Sequence, residues 1–178
     1  YAMGADLDNA FPIWVQRQIV VSADPTAKPP ILEQLESDDS YRIRKHLAME
    51  GYTSAGSRAA YEYYALSASP LVKQAHITTN ATPGIVDVYI LAHNDQAGAS
   101  SAVLATVVAA LSAEEVRPLC DKVNVMPAVI IDYTIDAVVE VSPGPGGEAV
   151  LKAAQTAAEA YASNHHALGM AVTLSGIY

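Results

Sequence analysis

Apolar and polar residues alternate most regularly over residues 129–141. Every odd-numbered position in this stretch is apolar, and most even-numbered positions, including Asp132, Asp136 and Glu140, are polar. Because side chains on a strand point to alternate faces, this pattern predicts one long strand with a buried face and a solvated face. Such a strand needs a sheet beside it and helices over its apolar face.

The rest of the pattern predicts four helices and three further strands. Ser37 is a good helix N-cap, and the residues between Asn80 and Gly84 have the composition of a turn between two strands. The helices are predicted over residues 38–49, 53–69, 101–111 and 148–166, and the strands over residues 72–79, 85–92 and 121–126.

These elements predict an α+β chain in three parts. Residues 1–36, rich in proline toward their end, are expected to form an N-terminal arm and linker. Residues 37–70 read as a helical hairpin domain, and residues 71–178 as an α+β sheet domain. The change from helical to alternating period at Pro70 predicts that the hairpin packs semi-independently of the sheet.

The order from Ile85 onward is strand, helix, strand, strand, helix, which is typical of a split βαβ, ferredoxin-like sheet with helices on one face. One more strand would complete the unit, but Ala171–Leu174 is too short to line the long strand. We therefore expect an incomplete last unit, and one sheet edge that is left incompletely paired.

Charge argues against a nucleic-acid partner. The net charge is −9, and residues 75–178 contribute −7 of it, because they hold three Lys or Arg against ten Asp or Glu. Nucleic acid requires a basic face, which this half does not offer, so the expected partners are proteins. No apolar run approaches the roughly 20 residues of a membrane span, and the single cysteine, Cys120, suits a reducing compartment.

The candidate chemistry does not assemble into an active site. The three acidic residues of the long strand read as a solvated sheet face rather than as an acid–base pair. His165 and His166 are adjacent on a helix and point about 100° apart, so they are not expected to share a metal ion. Gly147 is followed by Glu148 instead of the lysine of a phosphate loop. We predict no catalytic, cofactor-binding or metal-binding residues, and hence no enzyme.

Three tyrosines lie close together on the second predicted helix. Tyr61 and Tyr64 share a helix face, whereas Tyr63 points elsewhere. One short helix cannot bury all three on one side, and tyrosine is enriched at protein interfaces. One or two of the tyrosines can pack in the core while the rest contact another protein, and the sequence leaves open which tyrosine does which. Together with Arg58, we name Tyr61 and Tyr64 as the candidate protein interface.

Several segments, in the same order and at a similar spacing, are found in one protein family. They are Gly4–Asp8, Glu36–Arg42, Thr53–Arg58 with Ala60-Tyr61, Pro83-Gly84 before a Val-rich strand, and Val116–Val123. On these segments the chain resembles the baseplate assembly protein J family, the baseplate J-like wedge proteins of contractile-tailed phages. Arg117–Asp121 is the most specific of them, and Cys120 stands where the family usually has threonine.

The resemblance implies a structural component of a phage or prophage tail baseplate. It implies a wedge subunit that assembles with other baseplate proteins and with copies of itself around the tail tube. It places the chain in the virion baseplate after assembly in the bacterial cytoplasm, and implies that relatives continue at both ends. The alternative is a ferredoxin-like regulatory module that binds a small ligand, which would need a pocket with convergent polar groups.

Overall fold

The computed structural model describes residues 2–12, 14–53, 56–93, 98–141 and 146–176 of the 178 residues. The chain divides into two compact units, Tyr1–Val129 and Ile130–Tyr178. Both hydrophobic clusters of the described residues lie in the first unit. The predicted boundaries at residues 36 and 70, as limits of separately folding domains, stay a prediction.

In its described part, the first unit consists of four α-helices and five strands, and the second unit contains one long helix. The helices are α1 (Gly4–Asp8), α2 (Asp38–Leu47), α3 (Arg58–Ala68), α4 (Ser101–Leu111) and α5 (Gly147–His165). The strands are β1 (Ile19–Val21), β2 (Gln34–Leu35), β3 (Val72–Thr79), β4 (Ile85–Ala92) and β5 (Lys122–Pro127). Short 3-10 helices cover Glu50–Tyr52 and Leu174–Gly176.

Serine side chains begin both helices of the predicted hairpin. The hydroxyl of Ser37 accepts a hydrogen bond from the Ser40 backbone N–H at 3.2 Å, and the hydroxyl of Ser57 accepts one from the Ala60 N–H at 3.1 Å. Each bond satisfies a backbone donor that has no partner within its helix, and replacing such a cap by alanine costs about 1 kcal/mol. The predicted cap at Ser37 is confirmed.

The main sheet has three strands in the order β3-β4-β5. β3 and β4 pair in antiparallel fashion across the turn at residues 80–84, and β4 and β5 pair in parallel through the α4 crossover. The α+β class, with a helical region followed by a sheet, is confirmed. β4 and β5 are direct neighbours, so the described strands do not have the intervening strand of a split βαβ unit. Among them, β3 and β5 each have a neighbour on one side only. The expected incomplete edge lay beside the predicted long strand, so it stays a prediction.

The main core lies on one face of this sheet. Ala75 faces Ile90 and Ile77 faces Val88 in the register, so all four side chains share a face. The buried residues of the core come from α3 (Tyr61, Ala65, Leu66), β3 (Val72, Ala75, Ile77), β4 (Val88, Ile90, Ala92), α4 (Val103, Val107, Leu111) and Ala99 just before α4. Because α3 shares this core, the prediction that the hairpin packs semi-independently of the sheet is wrong.

A smaller cluster joins the N-terminal segment to α2. Tyr41 is buried against Leu7, Val15 and Ala48, and its hydroxyl donates a hydrogen bond of 2.6 Å to the Val15 carbonyl. The first part of the expected N-terminal arm is therefore packed onto α2, whereas β1 and β2 form a separate two-stranded sheet.

The prediction of a long strand over residues 129–141 is wrong: this stretch forms no strand in the structure of the chain. No residue of this stretch pairs with a described strand, and the side chains of Val129, Ile131 and Val138 are 86%, 82% and 91% exposed. Alternation shows that a segment could present two different faces, but a strand also requires a neighbour that accepts its hydrogen bonds. In the same unit, α5 buries none of its residues.

Candidate protein–protein interface

The three predicted interface residues lie in different environments. Arg58 is exposed at the start of α3, but Tyr61 is only 2% exposed and belongs to the core. The Tyr61 hydroxyl donates a 2.8 Å hydrogen bond to Asp121, and the half-buried Tyr64 donates one of 2.6 Å to the Gly51 carbonyl. Burial raises the pKa of Tyr61, and the hydrogen bond to Asp121 adds to the effect. Tyr61 is thus placed as a core residue.

Two glycines allow separate segments of the chain to approach closely at one end of the sheet. Gly56 has a φ of +66°, and a Cβ added there would lie 2.6 Å from Cγ of Pro118. Gly84 has a φ of +78°, and a Cβ there would lie 3.0 Å from the Cys120 carbonyl oxygen. L side chains rarely adopt these angles, so both positions favour glycine. Segments that sequence analysis singled out separately therefore meet at this point.

The residues at this junction present a leucine to solvent. We call Arg117–Asp121 the Leu119 loop, because the Leu119 side chain is 96% exposed at its tip. Behind it, the Asp121 N–H donates to the Pro118 carbonyl at 3.1 Å, while the Asp121 carboxylate accepts the Tyr61 hydroxyl. A single exposed apolar side chain is ordinary on a protein surface, so it is the fixed position of Leu119 on an anchored loop, rather than its exposure, that makes it a candidate contact.

A buried carboxylate orders the turn beside this loop. Asp87 of β4 is buried and accepts hydrogen bonds from Asn80 Nδ2 at 2.6 Å and Asn124 Nδ2 at 3.0 Å. It thereby ties the turn at residues 80–84, which contains Gly84, to β5. Sequence reasoning missed Asp87; the available signal was one acidic residue within an otherwise apolar strand.

A second exposed surface consists of three aromatic side chains, which we call the aromatic patch. The rings of Phe11 and Trp14 lie edge to face with centroids 5.2 Å apart, and those of Trp14 and Tyr52 with centroids 5.8 Å apart. All three side chains are exposed. Aromatic residues are over-represented in protein interfaces because they bury a large area with few rotatable bonds. Sequence reasoning missed this patch, since no local pattern places Tyr52 beside Trp14.

Lys45 anchors the segment that carries Phe11. Its ammonium group is buried and donates to the carbonyl oxygens of Leu7 at 2.7 Å, Asp8 at 3.1 Å and Ala10 at 2.6 Å. A buried cation is tolerated when all its donors are satisfied, as they are here. The sequence analysis did not single out Lys45, and no local pattern indicates that its side chain points into the protein.

A buried ion pair fixes the next part of the same segment. The carboxylate of Glu36 binds the Arg44 guanidinium and also accepts the Gln18 N–H at 2.9 Å. Arg44 donates in addition to the Gln16 carbonyl at 2.7 Å. These groups line a small cleft, but the two charges are already paired with each other.

The aspartate that begins α2 is held by two donors. Asp38 accepts a hydrogen bond from the Gly4 N–H at 3.0 Å and one from Arg17 at 2.6 Å. The Gly4 bond first and the Arg17 bond second lower the pKa of Asp38, because both favour the charged carboxylate. Arg17 also pairs with Asp8 at 2.5 Å.

The residues weighed for catalysis and metal binding lie in the second unit. His165 stacks on Tyr161 with centroids 3.8 Å apart, and its Nδ1 lies 2.9 Å from the Tyr161 carbonyl oxygen. Asp132, Asp136 and Glu140 are exposed. Within the described ranges, no group of three His, Cys, Asp or Glu side chains is placed to hold a metal ion. No described helix has the length and apolar character to cross a membrane.

Comparison with known proteins identifies the region that contains the Leu119 loop. Residues 53–127 match the family described as the Baseplate J-like central domain. The chain is 38% identical over 178 residues to Baseplate protein J of Escherichia phage P2. The matched region covers 99% of this chain and 59% of that protein. The chain therefore spans about three-fifths of this relative's length. The resemblance to the baseplate J family is confirmed.

Proposed function

We propose that this chain, as a relative of the baseplate J proteins, is a structural component of the tail baseplate of a phage or prophage. The observation that carries the proposal is the 38% identity to Baseplate protein J, which extends over 99% of the chain. The Baseplate J-like region, residues 53–127, contains the junction of Gly56, Gly84 and the Leu119 loop. The role is that of a structural protein rather than an enzyme.

The finer role is that of a wedge subunit in a contractile tail, which contacts other baseplate proteins and copies of itself around the tail tube. Two features of the first unit support protein partners. These are the exposed Leu119 side chain on its anchored loop and the three neighbouring exposed rings of the aromatic patch. The negative charge of the chain disfavours nucleic acid as a partner. The site of action is the virion baseplate, after assembly in the host cytoplasm.

Within this role, the Leu119 loop and Arg58 are the proposed contact with a neighbouring subunit. Leu119 provides exposed apolar area, and Arg58 provides an exposed cation at the start of α3. Gly56 lies two residues before Arg58 and meets Pro118 of the loop, so one junction orders both parts. An anchored contact of this kind loses little conformational entropy on binding.

The alternative of a ferredoxin-like module for a small ligand receives less support. The small cleft next to α2 contains Glu36 and Arg44, whose charges are paired with each other. A ligand there would have to compete with a buried ion pair, and breaking such a pair costs about 3–5 kcal/mol.

A complementation experiment tests the baseplate role. In a phage or prophage that encodes this chain, the gene is deleted and then replaced by the unchanged gene or by one that carries Leu119→Asp, and tails are counted by electron microscopy alongside infectious titre. We expect the wild-type chain to restore baseplates and Leu119→Asp to reduce them strongly, since a charge would be buried without a partner. Leu32→Asp is the matched control, because Leu32 is also exposed (78%) but lies far along the chain from the loop.

Purified variants should first show unchanged thermal unfolding, because both leucines are exposed. Failure of the wild-type chain to restore tails would overturn the baseplate role. Restoration by Leu119→Asp equal to that by the wild type would overturn the contact role of the loop alone.

A further inference from the structure

Side chains of α2 hold the N-terminal segment through its backbone. We call residues 2–12 and 14–17 of this segment the strap. The donors and acceptors are Tyr41 to the Val15 carbonyl oxygen at 2.6 Å, Arg42 to that of Ala2 at 3.0 Å, Arg44 to that of Gln16 at 2.7 Å, and Lys45 to those of Leu7, Asp8 and Ala10. These bonds require one particular backbone path, so they form together when the strap lies on α2.

The strap contributes little apolar surface to the fold. Among its described residues, those that are buried are Leu7, Pro12 and Val15. Leu7 and Val15 pack on Tyr41 and Ala48 in the smaller cluster, which is separate from the main core, whereas Leu47 of α2 packs against the main core. Segments with few buried apolar contacts open most readily. We therefore expect the strap to open while α2 stays on the main core.

Arg17 closes the strap with two ion pairs. Its guanidinium binds Asp8, within the strap, at 2.5 Å and Asp38, at the start of α2, at 2.6 Å. It also donates to the Gly4 carbonyl oxygen at 3.3 Å. Both aspartates are reached by solvent, with side-chain exposures of 45% and 27%. Salt weakens ion pairs that solvent reaches, so closure of the strap should depend on ionic strength.

The aromatic patch depends on the position of the strap. Phe11 and Trp14 belong to the strap, whereas Tyr52 belongs to the 3-10 helix that follows α2. The ring centroids of Trp14 and Tyr52 lie 5.8 Å apart, at the distance of a favourable edge-to-face pair. This pair joins the strap to another part of the chain. If the strap leaves α2, Tyr52 loses the other two rings.

We propose that the strap is a releasable element: it opens from α2 as a unit while the main core stays folded, and its closed position assembles the aromatic patch. The two forms differ in this surface, because three rings lie together in the closed form and Tyr52 is separated from the others in the open form. A protein that binds all three rings binds the closed form better, and its binding in turn shifts the population toward that form. The inference goes beyond the baseplate role, since it concerns the conformations of a single chain.

Hydrogen exchange of the full chain, followed by mass spectrometry at increasing urea concentrations, tests the opening. Peptides that cover the strap should lose protection in one step, at a lower urea concentration than peptides that cover β3 and β4. Added salt should lower the urea concentration of the strap's step without a matching decrease for β4. Loss of protection at the same urea concentration in both regions would overturn the proposal. So would a gradual, residue-by-residue loss in the strap, because that is fraying instead of release as a unit.

Arg17→Met tests the closure. The change removes both ion pairs and should make exchange in the strap about threefold to tenfold faster, with β4 unaffected. Arg58→Met is the matched control, since Arg58 is exposed and forms no ion pair among the described residues. Equal exchange of the strap in Arg17→Met and in the wild type would contradict the closing role of Arg17 and with it the proposed element.

Tyr52→Ala tests the link between the strap and the aromatic patch. The fluorescence of Trp14, the only tryptophan, should change at the urea concentration at which the strap loses protection. Tyr52→Ala should lower that concentration, because the closed strap loses a ring contact. Leu119→Asp, which tests the baseplate role, should leave it unchanged, so the two proposals fail separately. A Trp14 signal that changes only together with β4, or a strap that Tyr52→Ala leaves unaffected, would refute the control of the patch by the strap.

Discussion

The hydroxyl of Tyr61, buried on α3, donates a hydrogen bond of 2.8 Å to the carboxylate of Asp121, sixty residues later in the chain. This contact joins the core helix to the Leu119 loop, the most exposed apolar part of the Baseplate J-like region. Tyr61, a candidate interface residue by sequence, thus lies in the core with its ring among apolar side chains, while its hydroxyl binds the loop that carries the exposed Leu119.

Tyr61→Phe should lower the free energy of unfolding by about 1–2 kcal/mol, because it removes one hydrogen bond to a charged acceptor and retains the ring in the core. Urea unfolding followed by circular dichroism measures the change. Tyr52→Phe is the control, since Tyr52 is exposed and its hydroxyl has no hydrogen-bond partner among the described residues. Equal stability of Tyr61→Phe and wild type would show that the bond to Asp121 contributes nothing to the fold.

Gly56→Ala should destabilise the chain by about 1–3 kcal/mol, since the residue has a φ of +66° and its new methyl group would lie 2.6 Å from Pro118. Chemical unfolding provides the measurement. Gly147→Ala is the control: its Cβ would meet only Val141, at 3.8 Å, and it lies at the start of α5. An unaffected Gly56→Ala variant would mean that the junction at the Leu119 loop can rearrange without cost.

Lys45→Met should cost roughly 3 kcal/mol, because it removes a buried cation that donates to three carbonyl oxygens, although the Leu7 carbonyl keeps the Ala10 N–H as a donor. The fluorescence of Trp14, the only tryptophan, should also change as the N-terminal segment loosens. Ile43→Met on the same helix is the control: Ile43 is 49% exposed, and such surface substitutions usually change stability by no more than about 0.5 kcal/mol. Equal losses in the two variants would contradict the anchoring role of Lys45.

Asp38 should contribute a pH-dependent part of the stability. Its pKa is lowered in the folded state by the Gly4 N–H and Arg17, so its contribution is present above the ordinary aspartate pKa of about 4 and is lost as the pH falls through the lowered value. Thermal unfolding of the wild type and of Asp38→Asn should therefore differ at pH 7 and converge in strong acid. Asp39→Asn is the control on the same turn. A difference that persists unchanged to low pH would exclude a role for the ionised carboxylate.

Local sequence determined those parts of the fold that depend on neighbouring residues alone. The cap at Ser37 and the turn before Gly84 satisfy their backbone groups over a few residues, so local composition is enough to predict them. The apolar run of β4 also predicts its strand, and β3, its antiparallel partner, lies just before it in the chain. The five family segments were likewise visible in the sequence, because a motif is defined by residue type and spacing.

Tertiary structure decided which of these residues become buried and which remain at the surface. Tyr61 lies in the core because α3 packs on the sheet, and Asp121 then accepts its hydroxyl. Lys45 is buried because three carbonyls converge on it, and Phe11 reaches Trp14 and Tyr52 only after the N-terminal segment folds onto α2. Residues 129–141 show the same limit most clearly. Their alternation predicts which face each side chain would take in a strand. Whether a strand forms depends on a hydrogen-bonding neighbour, and that neighbour is not part of the local sequence.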